Sequence, residues 1–81
     1  MNVELAPKAA KYLQGMSEPG KSRIIRALEK LPEGNVVALQ GAKGLFRLRV
    51  GDWRIVFSYP AQDIILVEQI GPRGGIYKGG F

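Results

Sequence analysis

Residues 45–57, LFRLRVGDWRIVF, decide the fold of this chain, because they have the pattern of a β-hairpin. Apolar and cationic residues alternate over residues 45–50, as they do in a half-buried strand. Residues 53–59 are rich in aromatic and β-branched side chains, and Gly51-Asp52 between the two runs is a two-residue turn of the Gly-X type. We therefore predict two antiparallel strands joined at this turn.

The register of this hairpin places two arginines opposite each other. One face is apolar and pairs Val50 with Trp53, Leu48 with Ile55, and Phe46 with Phe57. On the other face Arg49 lies opposite Arg54, and Arg47 lies one pair further along. Like charges directly opposite each other destabilise a sheet by up to roughly 1 kcal/mol. An anion bound between the arginines would offset this cost, whereas arginines that splay into water would need no ligand.

Length, composition and charge indicate one small basic domain over residues 1–81. A chain of 81 residues buries only about 60–65% of its unfolded surface, and a hydrophobic fraction of 46% is enough for a single core. Twelve Lys and Arg against seven Asp and Glu give a formal net charge of +5. This balance favours a polyanionic partner, nucleic acid before a membrane surface.

The chain contains neither cysteine nor histidine. Disulfides, thiolate metal sites and Ser-His or Cys-His nucleophile pairs are therefore excluded, and we expect no metal and no cofactor. If the protein is an enzyme, tyrosine, lysine or carboxylates must move its protons. No apolar run approaches the ~18 residues that span a bilayer, and MNVELAPK at the start lacks the basic and apolar regions of a signal peptide. We expect a soluble, cytoplasmic protein.

Two helices are predicted before the hairpin. Residues 1–5 have the pattern of a short strand, and Pro7 then occupies a plausible first helical position. Apolar residues recur at helical spacing until Gly15, which ends the first helix. Ser17 is the candidate N-cap of a second helix that runs through Lys30.

The second half of the chain predicts a meander of strands. Residues 36–39 form a short apolar run of undecided type, and residues 64–70 form the third strand after the hairpin. The order β-α-α-β-β-β predicts an α+β fold, with the helix pair packed on one face of an antiparallel sheet. The opposite face would stay open and would carry Arg47, Arg49 and Arg54.

Two motifs, in this element order, resemble the RelE/ParE toxin superfamily of bacterial toxin–antitoxin systems. Residues 46–54, FRLRVGDWR, match an aromatic-basic-hydrophobic-basic-x-Gly-x-aromatic-Arg strand pattern. The last strand ends in a G-x-R sequence, Gly71-Pro72-Arg73, and Tyr77 follows shortly after. The resemblance covers nearly the whole chain, so it identifies residues 1–81 as a single RelE-like toxin domain with the RelE-like fold.

The resemblance implies the toxin of a type II toxin–antitoxin system, held by a cognate acidic antitoxin protein. Its RelE-like members are ribosome-dependent endoribonucleases, so it implies mRNA and the ribosome as partners. In that chemistry the ribose 2′-hydroxyl attacks the adjacent phosphate. Arg54 and Arg73 would clamp the phosphate, and Tyr77 would take part in proton transfer. The alternatives are a ParE-like, non-catalytic inhibitor of DNA gyrase and a decayed toxin that only binds its antitoxin.

This chain departs from the RelE pattern at two cationic positions. Arg47 and Arg49 stand where that pattern has lysines, and arginine does not lose its proton in proteins, so no general-base role carries over. We assign both to RNA binding and electrostatic support, together with Lys78. The second helix has a basic outer face, which is either solvated or a contact with ribosomal RNA, made by Lys21, Arg23, Arg26 and Lys30.

Overall fold

The computed structural model describes residues 2–41 and 43–72, and this part of the chain forms two helices and one five-stranded sheet. In chain order the elements are β1 (Asn2–Leu5), α1 (Pro7–Gln14), α2 (Gly20–Glu29), β2 (Val36–Ala38), β3 (Phe46–Val50), β4 (Trp53–Ala61) and β5 (Ile64–Pro72). Across the sheet the strand order is β1-β5-β4-β3-β2. Neither of these helices is long and apolar enough to cross a membrane.

The predicted α+β architecture is confirmed. Strands β3, β4 and β5 form the expected antiparallel meander, and the undecided run at residues 36–39 supplies β2, which pairs antiparallel with β3. Strand β1 pairs parallel to β5, from Asn2 opposite Ile64 to Leu5 opposite Val67. The sheet is therefore mixed and not wholly antiparallel, because this one pair of strands runs parallel.

The first helix begins and ends where the sequence predicts, but the second begins later. Pro7 starts α1, and Gly15 is its C-cap. The predicted N-cap at Ser17 is wrong, because α2 starts only at Gly20. The backbone N–H of Ser22, in the first turn of α2, donates to Oε1 of Glu18 at 3.0 Å. The Glu18 carboxylate thus does what a capping side chain does, satisfying an amide that has no partner within the helix.

Both helices pack on one face of the sheet and enclose a single core. Its buried members come from α1, α2 and their flanks, and from β3, β4 and β5; they are Ala9, Ile24, Leu28, Leu31, Leu48, Ile55, Phe57, Ile65, Val67 and Ile70. Each large apolar side chain of this kind stabilises the folded state by about 1.5–3 kcal/mol relative to exposure. Val56 is also fully buried but lies outside this cluster, on the opposite face of the sheet.

Aromatic contacts fix the hairpin at both ends. At the open end, the rings of Phe46 and Phe57 stack with their centroids 5.7 Å apart, and Tyr59 meets both edge-on. At the turn, Trp53 packs against Gly20 at the start of α2. A Cβ at residue 20 would lie 2.6 Å from Cη2 of Trp53, so this approach requires glycine. Trp53 therefore belongs to the core side and holds the start of β4.

Candidate anion-binding site

Three arginines lie together on the sheet face that points away from the helices. Strand β3 pairs with β4 in the predicted register, with Arg49 opposite Arg54 and Arg47 opposite Val56. Side chains alternate between the two faces of a strand, so these residues point away from the core that Leu48 and Ile55 help to form. We call the surface made by Arg47, Arg49 and Arg54 the arginine face.

The three arginines differ in exposure. Arg49 is exposed and Arg47 is half-buried, whereas Arg54 is only 6% exposed. The expectation of a fully open face is therefore wrong at Arg54 and at its neighbour Val56, which is 0% exposed. Charge alternation along a strand assigns a residue to a face, but it does not determine how deeply that residue is buried.

Hydrogen bonding leaves part of the arginine face unsatisfied. Nη1 of Arg54 donates to the backbone carbonyl of Trp53 at 3.3 Å. Nε of Arg54 and Nε of Arg47 are both buried, and neither has a hydrogen-bond partner among the residues that the structure describes. Leaving such a donor unsatisfied costs about 1–3 kcal/mol, and more for a charged group. An anionic oxygen would relieve this cost, and the planar guanidinium presents its donors in a fixed fork suited to phosphate.

A carboxylate from β5 also lies on this side of the sheet, where it contacts β4 beyond Val56. The register of β4 with β5 shifts after Val56, so that Val56 lies opposite Gln69 and Phe57 opposite Val67. Glu68 is the extra residue at this bulge, and its Oε2 accepts a hydrogen bond of 2.7 Å from the hydroxyl of Ser58. The sequence makes Glu68 a candidate for orienting an arginine, but it leaves the register of this strand ambiguous and does not predict the bond to Ser58, because a bulge within an apolar strand leaves no clear signal in the pattern.

The remaining predicted site residues, Arg73, Tyr77 and Lys78, lie outside the described residues. The last described residues of β5 border the arginine face, since Gly71 pairs with Arg54. Within residues 2–41 and 43–72, no group of three or more acidic side chains is placed to hold a metal ion. The described part of the site is therefore cationic, and the chemistry it suits is binding of an anion.

Solved structures of toxin–antitoxin complexes share this fold. No protein-family model and no curated protein sequence matches the chain. The archaeal RelE–RelB complex from Pyrococcus horikoshii OT3 matches with 25% identity and a TM-score of 0.69, over 91% of this chain and 96% of that chain. The RelB–RelE complex from Methanococcus jannaschii matches with 21% identity and a TM-score of 0.75, over 91% and 94%.

A third solved structure, the toxin–antitoxin complex RelBE2 from Mycobacterium tuberculosis, matches with 17% identity and a TM-score of 0.65. The match covers 89% of this chain and 96% of that chain. Together the three likenesses show that this chain has the RelE-like toxin fold, as the two sequence motifs predict.

Proposed function

We propose that this chain, which has the RelE-like toxin fold, is the toxin of a type II toxin–antitoxin system and a ribosome-dependent mRNA endoribonuclease. It would act in the cytoplasm as a single domain spanning residues 1–81. The observation that carries the proposal is the arginine face, where Arg54 is buried opposite Arg49 and the Nε atoms of Arg54 and Arg47 have no described partner. Buried cationic donors in this arrangement suit the binding of a phosphate.

The proposed reaction is an internal transesterification of RNA. The 2′-oxygen of a ribose forms a bond to the adjacent phosphorus, and the bond from phosphorus to the 5′-oxygen of the next nucleotide breaks. The 2′-hydroxyl loses a proton, and the leaving 5′-oxygen gains one. Negative charge builds up on the phosphate oxygens in the transition state, so fixed cations aimed at those oxygens accelerate the step.

The described arginines fit this electrostatic role. Arg54 is held by burial and by its hydrogen bond to the Trp53 carbonyl, so it would meet the phosphate with little loss of side-chain freedom. Arg47 and Arg49 would contact the neighbouring phosphates and add positive potential. The resemblance supplies the remaining roles, with Arg73 as a second clamp, Tyr77 in proton transfer and Lys78 in RNA contact.

The proposed partners are an acidic antitoxin, mRNA and the ribosome. The antitoxin is supported by the three neighbours, which are all complexes of RelE with RelB or of the RelBE2 pair. It is also supported by the net charge of +5, which favours association with an acidic chain. A partly disordered antitoxin segment would become ordered as it binds.

Inducible expression in a bacterial host, with two readouts, tests this function. Growth arrest accompanied by new mRNA 5′ ends in primer extension is the expected result, and Arg54→Ala should abolish both. Purified protein should leave DNA gyrase supercoiling unaffected. Inhibition of gyrase without mRNA cleavage would overturn the proposal in favour of the ParE-like alternative, and absence of both effects would leave a chain that only binds its antitoxin.

A further inference from the structure

A second cationic feature lies at the edge of the sheet, between α2 and β3. Among the described residues, four cationic residues and one acidic residue, Glu33, line an open groove of about 360 Å³. We call it the α2–β3 groove, and its cations are Arg23, Arg26, Lys30 and Arg49. All four are exposed. Arg23 and Arg26 lie on α2 and Lys30 is its C-cap residue, at spacings of three and four residues that bring the three to one side of the helix.

The local backbone explains why a groove forms here. Strand β2 stops pairing with β3 at Val36 opposite Leu48, so Arg49 lies beyond the last strand pair. The backbone N–H of Arg49 instead donates to the carbonyl of Asn35 at 3.2 Å. Gly34 keeps the space open above Leu48, since a Cβ at residue 34 would lie 2.8 Å from a methyl of that leucine.

The end of the groove near the hairpin turn is bordered by an arginine from α2. Nη2 of Arg23 lies 3.0 Å from the position that a Cβ of Gly51 would take, so its guanidinium rests on the turn between β3 and β4. Arg49 lines the groove and also lies opposite Arg54. The cations of α2 thus continue, through Arg49, into the arginine face.

This arrangement fits a polymer of anions better than a single small ion. Four cations around one open space, with a single carboxylate among them, create a positive potential that attracts and orients anionic groups. Apolar atoms of Leu48 and Val50 also line the groove and provide contact area for sugar rings. A ligand with charges at regular intervals can meet the groove and the arginine face at the same time.

We propose that the α2–β3 groove binds the sugar–phosphate backbone of a single RNA strand, outside the phosphate held at Arg54. The choice of RNA rests on the proposed function, because the groove is continuous with the face where that function requires a phosphate. Arginine forks bind phosphate oxygens in pairs, and each phosphate contact on a single strand contributes about 0.7 to the slope of log affinity against log salt.

Binding of a short, fluorescently labelled RNA with 2′-O-methyl riboses tests the groove. This probe cannot be cleaved by 2′-hydroxyl attack, so the measurement does not depend on catalysis. Arg26→Gln with Lys30→Gln should weaken binding at least about fivefold and lower the salt slope by about 1.4, the contribution of two phosphate contacts. The matched control, Lys8→Gln with Lys11→Gln, removes two exposed charges from α1, outside the groove, and should change affinity less than about twofold.

Each outcome decides the inference separately from the proposed function. Equal losses in the two double variants would overturn it, because RNA would then respond only to net charge. Weaker binding of an acidic peptide with unchanged RNA binding would also overturn it and would assign the groove to a protein partner. The parent protein could also fail to cleave mRNA while the groove variant alone loses RNA binding. That result would support RNA binding in the groove and would reject the proposed endoribonuclease activity. Far-UV circular dichroism of each variant verifies that its fold is intact.

Discussion

Arg49 and Arg54 lie directly opposite each other on β3 and β4, one exposed and the other almost completely buried. This pair opposes folding, because like charges on facing strand positions repel and a buried guanidinium loses its hydration. The pair is therefore expected to be retained for binding rather than for stability. Variants that separate the two properties test this interpretation.

Arg49→Gln should stabilise the fold and weaken function. Removing the cross-strand repulsion should raise the free energy of unfolding by about 0.2–1 kcal/mol. RNA affinity and mRNA cleavage should both fall. Urea denaturation measures the first effect, and the labelled RNA probe measures the second. Lys8→Gln is the control, since Lys8 is exposed on α1 and has no facing cation in the sheet. A less stable Arg49→Gln protein would contradict the interpretation.

Two substitutions at Arg54 should show separately what its positive charge and its planar guanidinium contribute to cleavage and to stability. Arg54→Lys keeps a positive charge but loses the planar fork, and it should reduce single-turnover cleavage by about 10²–10³. Arg54→Met removes a buried charge and keeps a similar volume, so the folded state should be equally stable or more stable. Single-turnover cleavage rates test the Arg54→Lys prediction, and thermal denaturation tests the Arg54→Met prediction. Unfolding of Arg54→Met would instead make this arginine a structural residue.

The hairpin is the part of the fold that the sequence predicts in most detail. Its turn is local, and a two-residue turn fixes which residues face each other, so the pairing of Arg49 with Arg54 follows directly. The parallel pairing of β1 with β5 could not be predicted in this way. Asn2 and Ile64 are far apart in the chain, and nothing local to either strand specifies the other as a partner.

The sequence predicts which face of the sheet carries Arg47, Arg49 and Arg54, but it does not predict the surroundings of these residues. Alternation assigns Arg47 and Arg54 to one face, yet their buried Nε atoms depend on packing that the pattern does not encode. The start of α2 shows the same limit. A serine is the usual N-cap, but at this helix the carboxylate of Glu18 reaches the amide of Ser22.

Acid should weaken the N-terminus of α2. Hydrogen bonding to the side chain and backbone of Ser22 lowers the pKa of Glu18 below its ordinary value of 4.5. Its contribution to stability is therefore fully present above that value and is lost as the pH falls through the lowered pKa. Urea midpoints measured from about pH 5 to pH 3 should fall less steeply for Glu18→Gln than for the parent protein. Glu29→Gln, at the other end of α2, is the control, and an equal flattening there would refute the assignment to Glu18.

Tyr77→Phe should separate catalysis from binding. With no histidine in the chain and arginines at the lysine positions, the Tyr77 hydroxyl is the proposed group for proton transfer. Single-turnover cleavage should fall by about 10²–10⁴, whereas affinity for the uncleavable RNA should change little. A phenylalanine variant that cleaves at the parental rate would make Glu68 the next candidate for proton transfer, since its carboxylate is hydrogen-bonded to Ser58 on the side of the sheet that carries the arginine face.

Gly20→Ala should destabilise the protein through one contact. An alanine Cβ would lie 2.6 Å and 2.8 Å from Cη2 and Cζ2 of Trp53, so the rigid indole or the start of α2 must move. Overpacking of this kind costs about 1–3 kcal/mol, and the Trp53 fluorescence spectrum should shift as the ring becomes more exposed. Gly15→Ala is the matched control. Its Cβ would meet only backbone oxygens of Lys11 and Tyr12 at 3.7 Å, which is ordinary contact. Equal stability of the two variants would show that Trp53 is not held against α2. A selective loss in Gly20→Ala, accompanied by weaker RNA binding, would show that this packing also positions the adjacent Arg54.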